Sequence, residues 1–232
     1  MDTHTSASCH FRDHTGCEFC RELVDGRGTF ARTYETEQFG RTLMESPSFV
    51  VWPSLGPLTV GHVLILPRFH IEAMASLQEP LICELEDLVA KVNAMIGGIG
   101  HVAAFEHGAC AENGGACGIY HAHLHLLPLP SSVELGVVFA AEHGLVASLT
   151  AAYRTLRGAS DYLLFQNGGG PVGHADMTKT PKRFPSQHFR RVLNDRFGFL
   201  PHWDWRVTAA TVDDRVLATM NLFRCSELRE AA

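Results

Sequence analysis

The chain has 232 residues and a formal charge of −6, from 19 basic and 25 acidic residues. That length suits one domain, or one domain with an extension, and the acidic balance argues against a nucleic-acid backbone as the main partner. Hydrophobic residues make up 46%, no apolar run is long enough to span a bilayer, and the polar first twenty residues lack the apolar stretch of a secretory signal, so a cytoplasmic protein is expected.

Residues 1–16 are rich in Thr, Ser and His without periodicity and are expected to be flexible. The seven cysteines, Cys9, Cys17, Cys20, Cys83, Cys110, Cys117 and Cys225, are odd in number and scattered, which argues against a disulfide framework. In a reducing compartment the Cys17-x-x-Cys20 pair points to metal or redox chemistry, and no βαβ pattern surrounds it to favour the redox case. Residues 30–52 read as two short strands around turn signals at Gly40 and Ser46-Pro47. An apolar strand follows over 60–66, stopped by Pro67. Leu81, Leu85, Leu88, Val89, Val92 and Ile96 recur at helical spacing. They predict an amphipathic helix from Ser76 to Ile96, ended by Gly97-Gly98. His101–Phe105 reads as a strand and Glu106–Gly118 as a glycine-rich loop.

Next comes His121-Ala-His-Leu-His125-Leu-Leu-Pro128. Strict alternation marks a strand on which residues two apart share a face, roughly 6.5 Å from one another. Ala122, Leu124 and Leu126 then face a core and the three imidazoles form a row on the other side. Side chains that titrate near neutral pH, held in line on rigid backbone, suit nucleophilic attack, proton transfer or metal binding. In one reading the histidines bind a catalytic metal; in the other the middle one is a nucleophile that its neighbours position. The row alone leaves both open.

Beyond residue 130 a helix is expected over 142–157 and a strand over Tyr162–Gln166, then a break at Asn167–Pro171. The stretch 179–191 is the one basic run in an acidic chain, with Lys179, Lys182, Arg183, Arg190 and Arg191. Ser186 can cap a helix to Phe197, ended by Gly198. A last helix is expected around 211–223. This extension is too short for a second full copy of the core, which argues against an internal duplication.

The histidine row followed by Pro128 resembles the signature of the histidine triad superfamily of nucleotide hydrolases and transferases. Gly61-His-Val-Leu-Ile-Leu-Pro-Arg-Phe-His70 resembles that family's Gly-His, apolar strand and Pro-basic-x-His stretch. Cys17-Glu-Phe-Cys20 resembles the start of its zinc-containing bacterial branch. All three occur in the family's order and together cover residues 17–130. The resemblance implies an α+β core over 17–140, an antiparallel sheet with a long helix and a shorter one on one side. A mixed C-terminal extension over 141–232 would pack on this core, and two chains would join as a homodimer.

The resemblance also implies roles. His123 would attack an α-phosphorus, with its other ring nitrogen held by a backbone carbonyl, and form a nucleotidyl intermediate that water or another acceptor resolves. His125 would donate to a phosphoryl oxygen. His121 would join Cys17, Cys20 and His70 in a closed, structural zinc site, with Cys9 as a substitute ligand and His10 and His14 nearby. His62 reads as a satisfied strand histidine. Backbone N–H groups of the Gly114–Gly118 loop, with Gly115 and Gly118, could contact the anion, because glycine lets backbone approach closely. Cys117 is a weak donor there. Apart from the resemblance, the basic run 179–191 reads equally as a solvated loop and helix face or as a clamp in which Gln187, Arg190 and Arg191 hold distal phosphates.

The chain departs from the family pattern at three places. Pro53 stands where many members have a ribose-binding Asp, Ala116-Cys117-Gly118 replaces Gly-Gln-Ser/Thr, and Glu106-His107 replaces asparagines. These departures keep one rival in play, a zinc-folded nucleotide-binding module without turnover, and the histidine row itself keeps a second, a metalloenzyme using His121, His123 and His125 as ligands. Hydrolysis and transfer to phosphate stay equally open.

Overall fold

Eight strands form one antiparallel sheet in the order β1-β2-β3-β5-β4-β7-β8-β6. They are β1 (Met44–Glu45), β2 (Phe49–Pro53), β3 (Val63–Pro67), β4 (His101–Ala109), β5 (Leu124–Leu129), β6 (Gly144–Val146), β7 (Asp161–Asn167) and β8 (Val172–Asp176). Among the described residues the helices are α1 (Glu18–Asp25), α2 (Thr29–Tyr34), α3 (Glu79–Ile96), α4 (Leu149–Thr155), α5 (His188–Phe197), α6 (Trp205–Thr208) and α7 (Asp213–Glu230). This computed structural model describes residues 16–26, 28–34, 40–109, 119–133, 135, 143–178 and 184–230. Residues 1–15, the loop bearing Gly115, Cys117 and Gly118, and Lys179, Lys182 and Arg183 lie outside the described residues.

The long helix follows its sequence pattern. Ile82, Leu85, Leu88, Val89, Val92 and Ile96 of α3 are buried on one face of the sheet, against Val51, Val63, Ile65, Leu124 and Leu126. Burying side chains of this size contributes about 1.5–3 kcal/mol each. Its start differs from expectation. Ser76 ends a short 3₁₀ turn, Met74–Ser76, and the helix begins at Glu79 with Pro80 in its first turn. Proline is pre-set for that position and needs no N–H partner there.

Alternation in the histidine run is borne out: Ala122, Leu124 and Leu126 join the α3 side of the core. Two features differ from the sequence reading. The strand proper begins at Leu124, so His121 and His123 sit on its entry segment, where the Ala122 N–H donates to the Ile71 carbonyl. The opposite face is covered as well. Leu127 and Leu129 pack there with Phe105, Leu163, Phe165 and Phe189 of α5, while Trp52, Leu64 and Leu66 pack against Phe19 of α1. Helical cover therefore lies on both faces, and the three histidines are buried at 1%, 7% and 8% exposure.

Other elements shift for identifiable reasons. Residues 29–34 are helical, so the strands expected in 30–52 begin only at Met44. Glu106–Ala109 continues β4 instead of starting a loop, because β7 of the extension pairs along it from Ala103↔Asn167 to Ala109↔Asp161. The helix expected over 142–157 is split into β6 and the shorter α4, whose N-cap Ser148 accepts from the Ala151 N–H. Strand β8, unmarked in the sequence, pairs with both β7 and β6. Ser186 does not cap α5; Gln187 does the capping turn, in the left-handed region at φ 58° and without a side-chain cap.

The extension is no full second copy, but it repeats one part of the core. Strand, helix and hairpin run β3–α3–β4–β5 in the core and β6–α4–β7–β8 in the extension. The two units meet antiparallel at β4·β7. The edge of β4 is thus occupied by the chain's own β7, and the outermost strands are β1 and β6.

Gly61 shows why the Gly-His pair before β3 needs glycine. Its φ is +83°, and a Cβ there would lie 2.9 Å from Pro128 of the histidine strand. Its N–H donates to the Thr219 hydroxyl of α7 at 2.8 Å, which anchors the loop that carries His62.

Candidate active site and metal cluster

Each histidine of the row is held by one backbone or ring partner that selects its tautomer. His123 Nδ1 lies 2.7 Å from the His121 carbonyl. A carbonyl only accepts, so Nδ1 carries the proton and the lone pair sits on Nε2. His121 Nε2 lies 2.9 Å from the Pro67 carbonyl, which puts its lone pair on Nδ1. His125 depends on a residue the sequence reading passed over as merely satisfied. The Leu58 N–H donates to His62 Nδ1 at 3.1 Å, so neutral His62 carries its proton on Nε2, 2.9 Å from His125 Nδ1. His125 is thereby left with Nε2–H as a donor. Both rings stay neutral. Burial first, then the Arg190 and His123 charges, hold His62 well below the usual imidazole range. Burial, His123, His62 and Arg190 do the same to His125. The His125 ring also stacks on Phe105 at 4.5 Å, which in turn stacks on Phe189 of α5 at 4.8 Å.

Cys17, Cys20, His70 and His121 form the one group of metal-type ligands that converges among the described residues, with ligand atoms within 4.8 Å of one another. Cys17 ends the extended segment before α1, and Cys20 lies in the helix's first turn, so a three-residue spacing turns both thiols to one side. His121 Nδ1 lies 3.5 Å from Cys17 Sγ and 3.4 Å from Cys20 Sγ, and His70 Nδ1 lies 3.4 Å from Cys20 Sγ. A tetrahedron with Zn–S near 2.3 Å and Zn–N near 2.05 Å has S···N edges of about 3.5 Å. The donor set therefore fits zinc. The Pro67 carbonyl supplies the outer partner that metal-binding imidazoles usually have. Burial, then the adjacent Cys17, push the Cys20 thiol up to about 12. Phe19, between the two cysteines, packs edge-on against His121 at 5.7 Å and His123 at 5.5 Å, which joins the cluster to the row.

Two adjoining clefts open beside the row, with about 370 Å³ and about 290 Å³ of non-atom space that includes open solvent, and His123, His125, Gln187 and Arg190 line both. The larger is walled by Phe19, Leu55, Leu64, Ile119 and Trp205. Among the described residues of the basic run, Arg190 is the one that reaches them. It is 3% exposed, its Nη2 donates to the Gly56 carbonyl at 2.6 Å and its Nε to the Trp203 carbonyl at 3.3 Å. Its buried Nη1 has no partner, and no carboxylate lies within ion-pair distance of it, among the described residues. Burial lowers its pKa to about 10, opposed by the Asp204 carboxylate, so it remains a cation at neutral pH.

Gln187 and Arg191 are placed differently. The Gln187 amide is engaged within the extension, Nε2 to Asp204 at 2.9 Å and Oε1 from the Trp205 N–H at 3.2 Å. Arg191 lies on the outer side of α5, half-exposed and 3.6 Å from Asp195, and does not line either cavity.

Besides His62, the sequence reading missed Arg41. It lines the larger cavity and forms a buried ion pair with Glu22 at 2.7 Å, with its guanidinium over Trp52 at 4.5 Å and Phe30 at 4.6 Å. Nothing local marks it, since its partners arrive from α1, α2 and β2.

The HIT domain model matches residues 35–131. An uncharacterised HIT-like protein of Borreliella burgdorferi is 28% identical over 100 residues, covering 36% of this chain and 68% of that protein. Among solved structures, a hypothetical protein from Leishmania major aligns with 62% of this chain and 93% of its own, at 17% identity and a TM-score of 0.40. A zinc-bound histidine triad family protein from Mycobacterium smegmatis aligns with 52% of this chain and 80% of its own, at 15% identity and a TM-score of 0.39. No helix among the described residues is long and apolar enough to cross a membrane. With the triad, the Gly-His strand and the Cys/His cluster in place, residues 35–131 are a HIT domain.

Proposed function

We propose that this protein cleaves a phosphoanhydride or phosphoester bond at the α-phosphorus of a nucleotide, through a nucleotidyl intermediate on His123. HIT-domain membership supports a nucleotide-binding hydrolase or transferase in general terms. One observation carries the finer reading: the tautomers set around the row give His123 a lone pair on Nε2 and His125 a proton on Nε2, beside cavities both residues line.

The steps follow from these groups. The His123 Nε2 lone pair bonds to phosphorus as the leaving oxygen departs, and the His121 carbonyl supports the positive charge that develops on the ring through its bond to Nδ1–H. His125 Nε2–H and Arg190 Nη1 donate to the equatorial oxygens, where charge accumulates during phosphoryl-type transfer. The nucleoside would occupy the larger cavity between Phe19, Leu64 and Trp205. An anionic substrate also supplies the counter-charge that buried Arg190 lacks, and a buried cation without one is costly. Water or another acceptor on phosphorus then releases His123.

Cys17, Cys20, His70 and His121 would hold zinc as a closed structural shell, which lends rigidity and offers no open coordination position. Cys17 and Cys20 would thereby fix the start of α1, and through Phe19 the position of His123. The metalloenzyme rival loses support, because neither His123 nor His125 belongs to the converging ligand group and His125 carries its proton on Nε2, where a metal would need a lone pair. The resemblance also favours a homodimer. With β4 occupied, sheets joining edge to edge would do so through β1 or β6.

The test is product analysis by mass spectrometry. Wild type and His123→Ala receive nucleoside diphosphates, dinucleoside polyphosphates and nucleotide sugars, with and without added phosphate. Nucleoside monophosphate from wild type alone, or diphosphate when phosphate is present, is the expected result. Turnover that survives His123→Ala contradicts the proposal.

A further inference from the structure

The extension completes a second histidine site on the far side of the row. His107 of β4 places Nε2 3.0 Å from the Asp161 carboxylate at the start of β7, and both side chains are 3% exposed. His107 lines the smaller cavity with His123, His125, His188 and Arg190. Its Nδ1 is buried and has no hydrogen-bond partner among the described residues. An unsatisfied buried polar atom costs about 1–3 kcal/mol. Such groups in a native fold call for an explanation, and a reacting ligand is one. The pair also spans the junction between the two parts of the chain. The core supplies the imidazole, and the extension supplies the carboxylate that orients it and balances its charge when both nitrogens are protonated.

We propose that His107 carries the proton to the leaving oxygen, and takes it back from the acceptor, in the His123 reaction, with Asp161 as its positioning residue. This rests on the His123 reading and deepens it. As His123 Nε2 bonds to phosphorus and the P–O bond breaks, the Nδ1 proton of His107 passes to the departing oxygen. Nε2–H stays on the ring, bonded to Asp161. In the second half, Nδ1 accepts the proton of the incoming hydroxyl as its oxygen bonds to phosphorus. The N–P bond then breaks and its electron pair returns to His123. A proton carrier accelerates departure only of a group that leaves as a strong base, and arrival only of a group that carries a proton. The substrate class this favours is a nucleotide ester with a poor leaving group, and the acceptor it assists is water or an alcohol, whose attacking oxygen must lose a proton, whereas inorganic phosphate attacks through an oxygen that is already anionic and gains nothing from His107. His125, His188 and Arg190 share the cavity and would hold the phosphoryl oxygens in place.

The test uses the full chain and nucleoside 5′-monophosphates, one purine and one pyrimidine, esterified with p-nitrophenol, phenol or methanol. His107→Ala should lose about 100-fold in kcat on the methyl ester, a typical share for acid–base catalysis, and under about 3-fold on the p-nitrophenyl ester. Asp161→Asn should fall between wild type and His107→Ala on the methyl ester. Imidazole added to the buffer should restore part of the His107→Ala loss. His107→Gln, which keeps a donor toward Asp161 if the alanine variant fails to fold, should show the same dependence on leaving group. An equal loss on all three esters, or no loss on any, overturns the proposal. Wild type that turns over none of the esters overturns the reading of His123 itself, and this inference with it.

Discussion

His62 and His125 face each other Nε2 to Nδ1 across 2.9 Å, both buried, and the first sets the proton of the second. The setting begins in the extension. Arg215 of α7 donates to the Leu58 carbonyl at 2.6 Å, and the Leu58 N–H donates to His62. His62→Ala should therefore lower kcat by about 10–100-fold, by releasing the His125 tautomer, while KM changes by less than about 3-fold. Steady-state kinetics against any substrate identified by product analysis measures this split. A change confined to KM would contradict the relay.

Stability should fall on mild acidification. In the unfolded chain both imidazoles bind a proton near pH 6.5, whereas the folded protein holds them neutral well below that. Their contribution is complete above pH 6.5 and is lost as the pH drops toward the folded midpoints, by up to about 1.4 kcal/mol per pH unit for each ring. Glu22 and Glu106, whose pKa values burial raises, act in the opposite sense as pH rises above their unfolded value. The measurement is accordingly a difference: urea unfolding of wild type and His62→Gln between pH 5.5 and 7.5. The variant should show the shallower slope, and identical slopes would contradict the assignment.

Metal content should follow the cluster and ignore the nucleophile. Cys17→Ser and Cys20→Ser should each lower bound zinc and thermal stability together, because α1 loses its tie to the row. His123→Ala should retain the zinc of the wild type. Elemental analysis of purified proteins decides between this and a catalytic metal held by His121, His123 and His125, which His123→Ala would release.

The two neighbouring arginines of α5 should behave differently. Arg190→Met should raise KM for the nucleotide by about 10–100-fold, since it removes a buried cation that faces the cavities. Stability should change little, because replacing an unpaired buried charge by an apolar chain removes a desolvation penalty along with two hydrogen bonds. Arg191→Ala should leave kinetics unchanged, since its partner is exposed Asp195. Equal effects of the two variants would contradict the assignment of Arg190.

The sequence carried the local half of this site. Alternation placed Ala122, Leu124 and Leu126 toward the core, and the motif order brought Cys17, Cys20, His70 and His121 together as expected. Long-range pairings were out of reach. Glu106–Ala109 looked like loop because glycine and polar residues end the apolar pattern there, yet pairing with β7 keeps it extended. His62 read as an ordinary strand histidine because its partner is 63 positions away. His107 and Asp161, 54 positions apart, carry no shared motif. The basic run read as one clamp, but helical periodicity turns Arg190 inward and the next residue, Arg191, outward.

The most direct measurement is the intact mass of the protein during turnover, quenched in alkali to preserve a phosphorus–nitrogen bond and followed by peptide mapping. The account predicts a mass gain of one nucleoside monophosphate on the peptide bearing His123, absent from His123→Ala and faster to form than to decay with a good leaving group. Turnover by wild type with no adduct at any time point, together with an active His123→Ala, would contradict it.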